Sequence, residues 1–270
     1  VKQLSTSQLK LFSSLKQKKY RDKEGLFLIE GWHLFEECLK SDYIPEVFII
    51  SENLRSKYEE KISEFKRIKK FEIYYLKLQL FNKLSETRNS QGIVCVVRTK
   101  GSDSYDSVKY ASPVLALDEI NDPGNLGTIL RTAYWFNSGA VILGKNTVDV
   151  YNDKVLRASQ GALFHLNFKT NADLNNDLFM LKQKGYEIFL LSPQSDVTLE
   201  KTDFKDNVCF VFGNEARGIN EAIKTTGYKE ISIKGFSDCE SLNVAISIGI
   251  VLHYYRLKIS GFELPNYGFS

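Results

Sequence analysis

One stretch constrains this chain more than any other: residues 113–131, reading PVLALDEINDPGNLGTILR. An apolar run, Pro113 to Leu117, ends in Asp118 and Glu119, and the turn Asn121-Asp122-Pro123-Gly124 follows. From Asn125 onward Gly127, Leu130, Arg131 and Tyr134 recur at near-helical spacing. A buried strand feeding a helix through a tight polar turn leaves backbone N–H groups unpaired at the helix start and sets side chains on a rigid support. Asn125 is expected at the N-cap. Arg131 is expected further along the helix, on the face of Gly127, which has no side chain to block access. The same residues also suit an ordinary strand–loop–helix with a capping Asn and a solvated Arg.

The rest of the chain narrows the choice. At 270 residues it has room for one large domain or two ordinary ones. Lys+Arg 36 against Asp+Glu 33 leaves a net charge of +3, too mild to imply a nucleic-acid partner from bulk charge. Cys38, Cys95, Cys209 and Cys239 stand far apart, and His33, His165 and His253 are scattered, so neither a metal site nor a disulfide framework is expected. With no signal peptide and no apolar run long enough to span a bilayer, the expectation is a reduced cytoplasmic protein without a membrane partner.

Residues 1–98 alternate short apolar runs with helical patterns, as a small α/β sandwich does. Strands are expected at Leu26–Ile29, Val47–Ile50, Phe71–Leu76 and Ile93–Val97. Helices are expected at Trp32–Leu39, Leu54–Ile68 and Leu78–Leu84. Near the start, Lys16, Lys18, Lys19 and Arg21 form a basic run opposed only by Asp22. It reads either as a solvated helix end or as a phosphate-contacting patch. Residues 99–112 lose the apolar periodicity and read as a linker. Residues 113–270 resume the alternation, with strands expected at Ala140–Leu143, Phe164–Phe168, Tyr186–Leu191, Val208–Phe212 and Glu230–Ile233. Helices are expected at Asp153–Gln160, Leu174–Lys184 and Ile219–Thr225, and a last one from near Ser241 to about Lys258. Apolar runs bounded by turns suggest a parallel sheet covered on both faces. No G-x-G-x-x-G follows the first of these strands, which excludes an ordinary dinucleotide fingerprint.

Three loops are expected at the C-terminal ends of strands: Asn121–Asn125, Gly213–Gly218 and Gly235–Asn243. Ligands of open parallel sheets gather at that edge. Each loop alone also suits a plain turn or helix cap. In the second, Gly213 and Gly218 bracket Glu215 and allow close backbone approach to a ligand. In the third, Ser241 reads as an N-cap, which leaves Asn243 unexplained.

Taken in order, the three loops resemble the motifs of the SpoU (TrmH-type) RNA 2′-O-ribose methyltransferases. The first is Asp122-Pro123-Gly124-Asn125-Leu126-Gly127-Thr128-Ile129-Leu130-Arg131, and the second Phe212-Gly213-Asn214-Glu215-Ala216-Arg217-Gly218-Ile219. The third is Ile231-Ser232-Ile233-Lys234-Gly235 with Glu240-Ser241-Leu242-Asn243-Val244-Ala245. In residues 1–98, Leu28-Ile29-Glu30-Gly31 and the run from Leu84 to Ile93 resemble the L30e-like substrate-binding domain often fused to that family. The resemblance implies an α/β fold: a mostly parallel SPOUT domain with a trefoil knot at 113–270, preceded by the small sandwich. It implies a homodimer that uses S-adenosylmethionine to methylate a ribose 2′-hydroxyl, of ribosomal RNA in preference to transfer RNA. By position, Leu191, Ser192, Gly213, Ile233 and Leu242 hold the cofactor. Asn125, Arg131, Glu215, Ser241 and Asn243 match the catalytic and substrate-side positions. A guanidinium keeps its proton, so Arg131 is expected to stabilise a developing alkoxide and orient a phosphate.

The chain departs from the pattern in three places. Ile231-Ser232-Ile233 stands where Ile-Pro-Met is usual, the segment between Gly235 and Glu240 is longer than the common spacing, and Ser90 replaces a common Pro. Competing readings are an inactive RNA-binding protein of the same fold and a methyltransferase acting on an RNA base.

Overall fold

A computed structural model describes residues 2–87, 89–100 and 112–260, so most of the expected linker lies outside the described residues. The chain forms two compact units, Val1–Ser104 with Asp149–His165, and Tyr105–Val148 with Leu166–Ser270. Residues 149–165 therefore pack with the N-terminal part, although they come late in sequence.

The first unit opens with α1 (Thr6–Ser14) and α2 (Lys18–Glu24). A capping box between Ser5 and Gln8 starts α1. Gly25, at φ 64°, ends α2 in the left-handed conformation that glycine tolerates. Then come β1 (Leu26–Glu30), α3 (Trp32–Leu39), β2 (Pro45–Ser51), α4 (Arg55–Ile68), β3 (Glu72–Leu76), α5 (Leu78–Phe81) and β4 (Ile93–Arg98). The sheet order is β1-β4-β2-β3, with β4 antiparallel to both neighbours and β2 parallel to β3. Leu34, Phe35, Cys38 and Leu39 bury one face of α3, as their spacing requires. Lys69 closes the end of that helix, its ammonium donating to the carbonyls of Cys38, Ser41 and Tyr43.

The second unit contains β5 (Val114–Leu117), α6 (Pro123–Trp135), β6 (Ala140–Gly144), β7 (Phe168–Ala172), α8 (Leu174–Gln183), β8 (Glu187–Leu191), β9 (Val208–Phe212), α9 (Glu221–Lys224), β10 (Lys229–Ile231) and α10 (Val244–Ile259). The intervening α7 (Asp153–Ser159) lies in the first unit. All strand pairings in this six-stranded sheet are parallel, in the order β10-β8-β9-β5-β6-β7. Every residue of β5, β6 and β9 is buried. That two-sided burial explains why these strands read as continuous apolar runs instead of alternating. Tyr255 and Arg256 fix the end of α10. The Tyr255 hydroxyl donates to the Asp206 carbonyl at 2.9 Å, and Arg256 Nε donates to the Phe136 carbonyl at 2.8 Å.

Three local expectations are corrected. The N-cap of α6 is Asp122, whose side chain accepts from the Asn125 N–H at 2.7 Å, with Pro123 in the first turn. Pro after Asp is the favoured helix start, so the cap moves forward and leaves the Asn125 side chain free for other work. The N-cap of α10 is Asn243, not Ser241. The strand expected at Phe164–Phe168 is instead a 3-10 turn, Ala162–His165, and β7 begins at Phe168. A short apolar run does not by itself distinguish a strand from a helical turn. Here Gly161 turns the chain at φ 83°, and His165 Nε2 lies 2.8 Å from the Glu37 carboxylate.

Candidate active site

The site grows from the C-terminal edge of the parallel sheet. Asp118 directly follows β5 and is buried. Burial raises its pKa and the neighbouring Glu119 adds to the rise, while the Asn220 N–H and Arg217 oppose it. Its Oδ2 accepts the Asn220 N–H at 2.8 Å and so ties β5 to the end of the loop after β9. Glu119, at φ 55°, receives the Asn214 amide on its carbonyl at 2.8 Å and pairs its carboxylate with Arg217.

The loop after β9 is folded by its own side chains. Asn214 Oδ1 accepts the N–H groups of Ala216 and Arg217, at 2.9 and 3.1 Å, in an Asx turn. The backbones of Asn214 and Gly218 exchange two hydrogen bonds of 3.0 and 2.9 Å. A Cβ on Gly213 would fall 2.1 Å from the Gly218 carbonyl carbon. Gly213 is thus required by the loop's own backbone, a different reason from the approach to a ligand that its position suggested. The result is that Glu215 is exposed at a fixed place.

Three of the expected residues meet. Asn243 Nδ2 donates to Asn125 Oδ1 at 2.9 Å, and Asn125 Nδ2 donates to Glu215 Oε1 at 2.9 Å. Asn243 meanwhile caps α10, its Oδ1 accepting from Ala245 N–H at 2.9 Å. Each amide therefore has its oxygen and nitrogen assigned by partners on both sides. One chain of hydrogen bonds joins the start of α6, the start of α10 and the loop after β9.

Arg131 does not join that chain. It is exposed on α6 and has no hydrogen bond or ion pair among the described residues. Gly127 is buried, so it serves helix packing and does not open a path to Arg131. Ser241 and Leu242 are exposed at the end of the loop before α10, outside the hydrogen-bonded chain.

The strand ends β10, β8 and β9 lie side by side. Leu191 pairs in register with Ile231, and the Ser192 N–H donates to the Ile231 carbonyl at 3.0 Å. Ser232, in place of the usual Pro, is buried and donates its N–H to the Val197 carbonyl at 2.9 Å, a bond that proline lacks the donor to make. Leu191, Ser192 and Ile233 are half-buried along this edge.

The basic run divides. Arg21 is 4% exposed; its Nε donates to Asp149 at 2.9 Å and its Nη1 to the carbonyls of Leu15 and Lys16. A guanidinium satisfied in this way has no face left for phosphate, and the expectation for Arg21 is corrected to an internal tie. Lys16 donates to the Ser85 carbonyl at 2.9 Å and sits 3.3 Å from Glu86. Lys18 and Lys19 are exposed, Lys18 beside Asp22.

Asp118, Asn214 and Asn220 carry the site's loops and were not singled out from sequence. Asn214 had a signal, an Asn beginning a tight turn. Among the described residues there is no cluster of metal-ligating side chains, and no helix is long and apolar enough to cross a membrane.

The chain is similar to known proteins. Residues 112–253 match the SpoU rRNA Methylase family, and residues 6–95 match the MRM3-like substrate binding domain. The chain is 29% identical over 256 residues to the Bacillus subtilis 23S rRNA (guanosine(2553)-2'-O)-methyltransferase RlmP, covering 95% of this chain and 98% of that protein. It is similar to the structure of a putative RNA methyltransferase of the TrmH family from Porphyromonas gingivalis, with TM-score 0.81, 27% identity, and 94% of this chain and 98% of that one covered. It shares its fold with the SpoU methyltransferase AviRb from Streptomyces viridochromogenes, solved in complex with AdoMet, at TM-score 0.85, 21% identity, and 95% and 99% coverage. The chain belongs to the SpoU rRNA methylase family and is an S-adenosylmethionine-dependent RNA methyltransferase.

Proposed function

We propose that this enzyme methylates a ribose 2′-hydroxyl of ribosomal RNA. The observation that carries the reading is the hydrogen-bonded chain Asn243–Asn125–Glu215, which brings one residue from each motif to one place. When bound, S-adenosylmethionine supplies a methyl carbon made electrophilic by its sulfonium. The adjacent ends of β8, β9 and β10 suit it, because half-buried Leu191 and Ile233 offer apolar contact beside the Ser192 hydroxyl. Gly213 keeps the neighbouring loop tight, and Leu242 closes the group from the start of α10.

A ribose hydroxyl is a poor nucleophile until its charge on oxygen is stabilised. Arg131 has no internal partner among the described residues and is therefore available for that oxygen and for the adjoining phosphate. Asn125 and Asn243 hold the ribose and the loops, Ser241 contacts the substrate, and Glu215 fixes the orientation of Asn125.

The first unit binds RNA. Lys18 and Lys19 are exposed for phosphate contact, and Lys16 anchors the same run to the loop at Ser85. Two copies associate through the outer faces of α6 and α10, where Tyr134, Trp135, Ile246 and Ile250 are exposed. An apolar face of this kind marks an association surface. The enzyme works in the cytoplasm, and the relative RlmP, named for a 23S rRNA ribose, favours ribosomal over transfer RNA.

The test is methyl transfer from labelled S-adenosylmethionine to RNA, followed by alkaline hydrolysis. A methylated 2′-oxygen blocks alkaline cleavage, so label in resistant dinucleotides is the expected result. Label in a methylated base, released as a mononucleotide, would replace ribose with base chemistry. Cofactor binding with no transfer to any RNA would leave an RNA-binding protein.

A further inference from the structure

We propose that Phe236 is a stacking platform for a nucleobase of the substrate RNA, at or beside the nucleotide that is methylated. The inference rests on the ribose-methylation reading and names a contact that would select the RNA.

The segment that carries Phe236 is held at both ends. Ser232 donates its N–H to the Val197 carbonyl at 2.9 Å and accepts the Leu199 N–H at 2.8 Å. Asn243 donates to Asn125 at 2.9 Å. The loop thus starts beside the strand ends assigned to the cofactor and finishes at the amides assigned to the ribose. Between those two ends the loop carries one aromatic residue, Phe236.

Phe236 is 89% exposed, more than any other large apolar side chain among the described residues. A ring this bare gains nothing from the protein core, whereas stacking on a base would cover it. Lys234 Nζ lies 5.1 Å from the ring centroid and makes no hydrogen bond or ion pair among the described residues. The ammonium reinforces a stack through its attraction to π faces. A Cβ on Gly235 would meet nothing within 4 Å, so the space around this turn is open. The carboxylates of Asp238 and Glu240 are exposed on the same loop. They disfavour a phosphate there and leave the neutral face of a base as the fitting ligand.

The base belongs to RNA and not to the adenosine of the cofactor. Small-ligand sites enclose most of their ligand, and Phe236 is more open than Leu191, Ile233 and Leu242, the apolar side chains assigned to that group.

The test compares Phe236→Ala, Phe236→Leu and Phe236→Trp in the full chain. The probes are an unmodified ribosomal RNA transcript and labelled S-adenosylmethionine. KM for RNA, kcat, cofactor Kd and oligomeric mass are measured for each. The Ala and Leu variants are expected to raise KM for RNA about tenfold, the cost of removing one base stack. Their cofactor Kd, kcat and oligomeric mass should stay as in the wild type, and Phe236→Trp should keep the wild-type KM. Weakened cofactor binding would reassign the ring to adenine, and a fall in oligomeric mass would reassign it to a contact between copies. Leu matching Trp would reduce it to apolar packing, and an unchanged KM in every variant would remove the role. Each of those results overturns the inference while leaving ribose methylation intact. A wild-type enzyme that methylates no RNA would overturn both.

Discussion

Arg21 and Arg131 show two opposite uses of an arginine. Arg21 stands in a run that reads as either solvated or phosphate-contacting, yet it is buried and satisfied by Asp149 and two carbonyls. Arg131 stands on the surface of its helix with no partner among the described residues. The same contrast runs through their surroundings. In the first unit Glu30 accepts from Ser85, Thr87 and the Glu86 N–H, and Gln91 accepts the Trp32 N–H at 3.0 Å. Those polar groups are spent on holding loops. In the second unit the chain Asn243–Asn125–Glu215 fixes three elements and ends in an exposed carboxylate. A satisfied charge builds shape; a charge held in place and left open is available for chemistry.

This contrast can be broken. Arg21→Met leaves Asp149 without its buried partner and should cost about 3–5 kcal/mol of stability. Thermal or urea unfolding of the two proteins measures it. A variant as stable as the wild type, with weaker RNA binding, would return Arg21 to the phosphate-contacting group.

Asn243→Asp separates capping from the amide chain. Aspartate caps α10 as well as asparagine does, but it presents an acceptor where Asn125 Oδ1 requires a donor. Unfolding should be nearly unchanged, because the bond to Asn125 is exposed and water can replace it, while transfer falls about ten- to hundredfold through loss of the position the amide chain gives Asn125. Equal losses of stability and transfer would make Asn243 a cap and nothing more.

Glu30→Gln should cost about 1–2 kcal/mol, because hydrogen bonds to a charged acceptor exceed those to a neutral one. It should also change the acid limb of stability. Burial alone would raise the Glu30 pKa, but the bonds from Ser85, Ser90, Thr87 and the Glu86 N–H outweigh it and hold the carboxyl below its usual 4.5. A carboxyl depressed on folding contributes stability above its unfolded pKa and loses it as pH falls through the folded value. The wild-type advantage over Glu30→Gln should therefore be full at neutral pH and shrink below about pH 4.5. A constant difference across that range would contradict the assignment.

The smallest effect belongs to Lys18 and Lys19. Replacing both with Gln should weaken RNA binding modestly. The slope of log affinity against log salt should fall by about 0.7 for each single-strand phosphate that is no longer neutralised. An unchanged slope would leave them a solvated helix face.

Much of this was legible in the sequence, for physical reasons that also mark its limits. Trp32–Leu39 and Val208–Phe212 fall where their periodicity places them, since one is amphipathic with a 3.6 repeat and the other is buried on both faces. The helix starts were displaced because several capping residues compete within a few positions, as Asp122 does with Asn125 and Asn243 with Ser241. The meeting of Asn125 with Glu215, 90 residues away, and with Asn243, 118 away, follows from strand order, which local spacing does not encode. The burial of Arg21 had the same origin. Its partner Asp149 lies 128 residues on, and nothing in a local run of lysines signals that one cation among them is turned inward.

The most direct test of the account is the Arg131→Ala variant, assayed for methyl transfer and cofactor affinity in parallel with its thermal unfolding. An arginine with no internal partner should be dispensable for the fold and indispensable for the reaction. The account predicts transfer reduced about a hundredfold or more, with unfolding and S-adenosylmethionine binding as in the wild type. Near-normal transfer by that variant would contradict it.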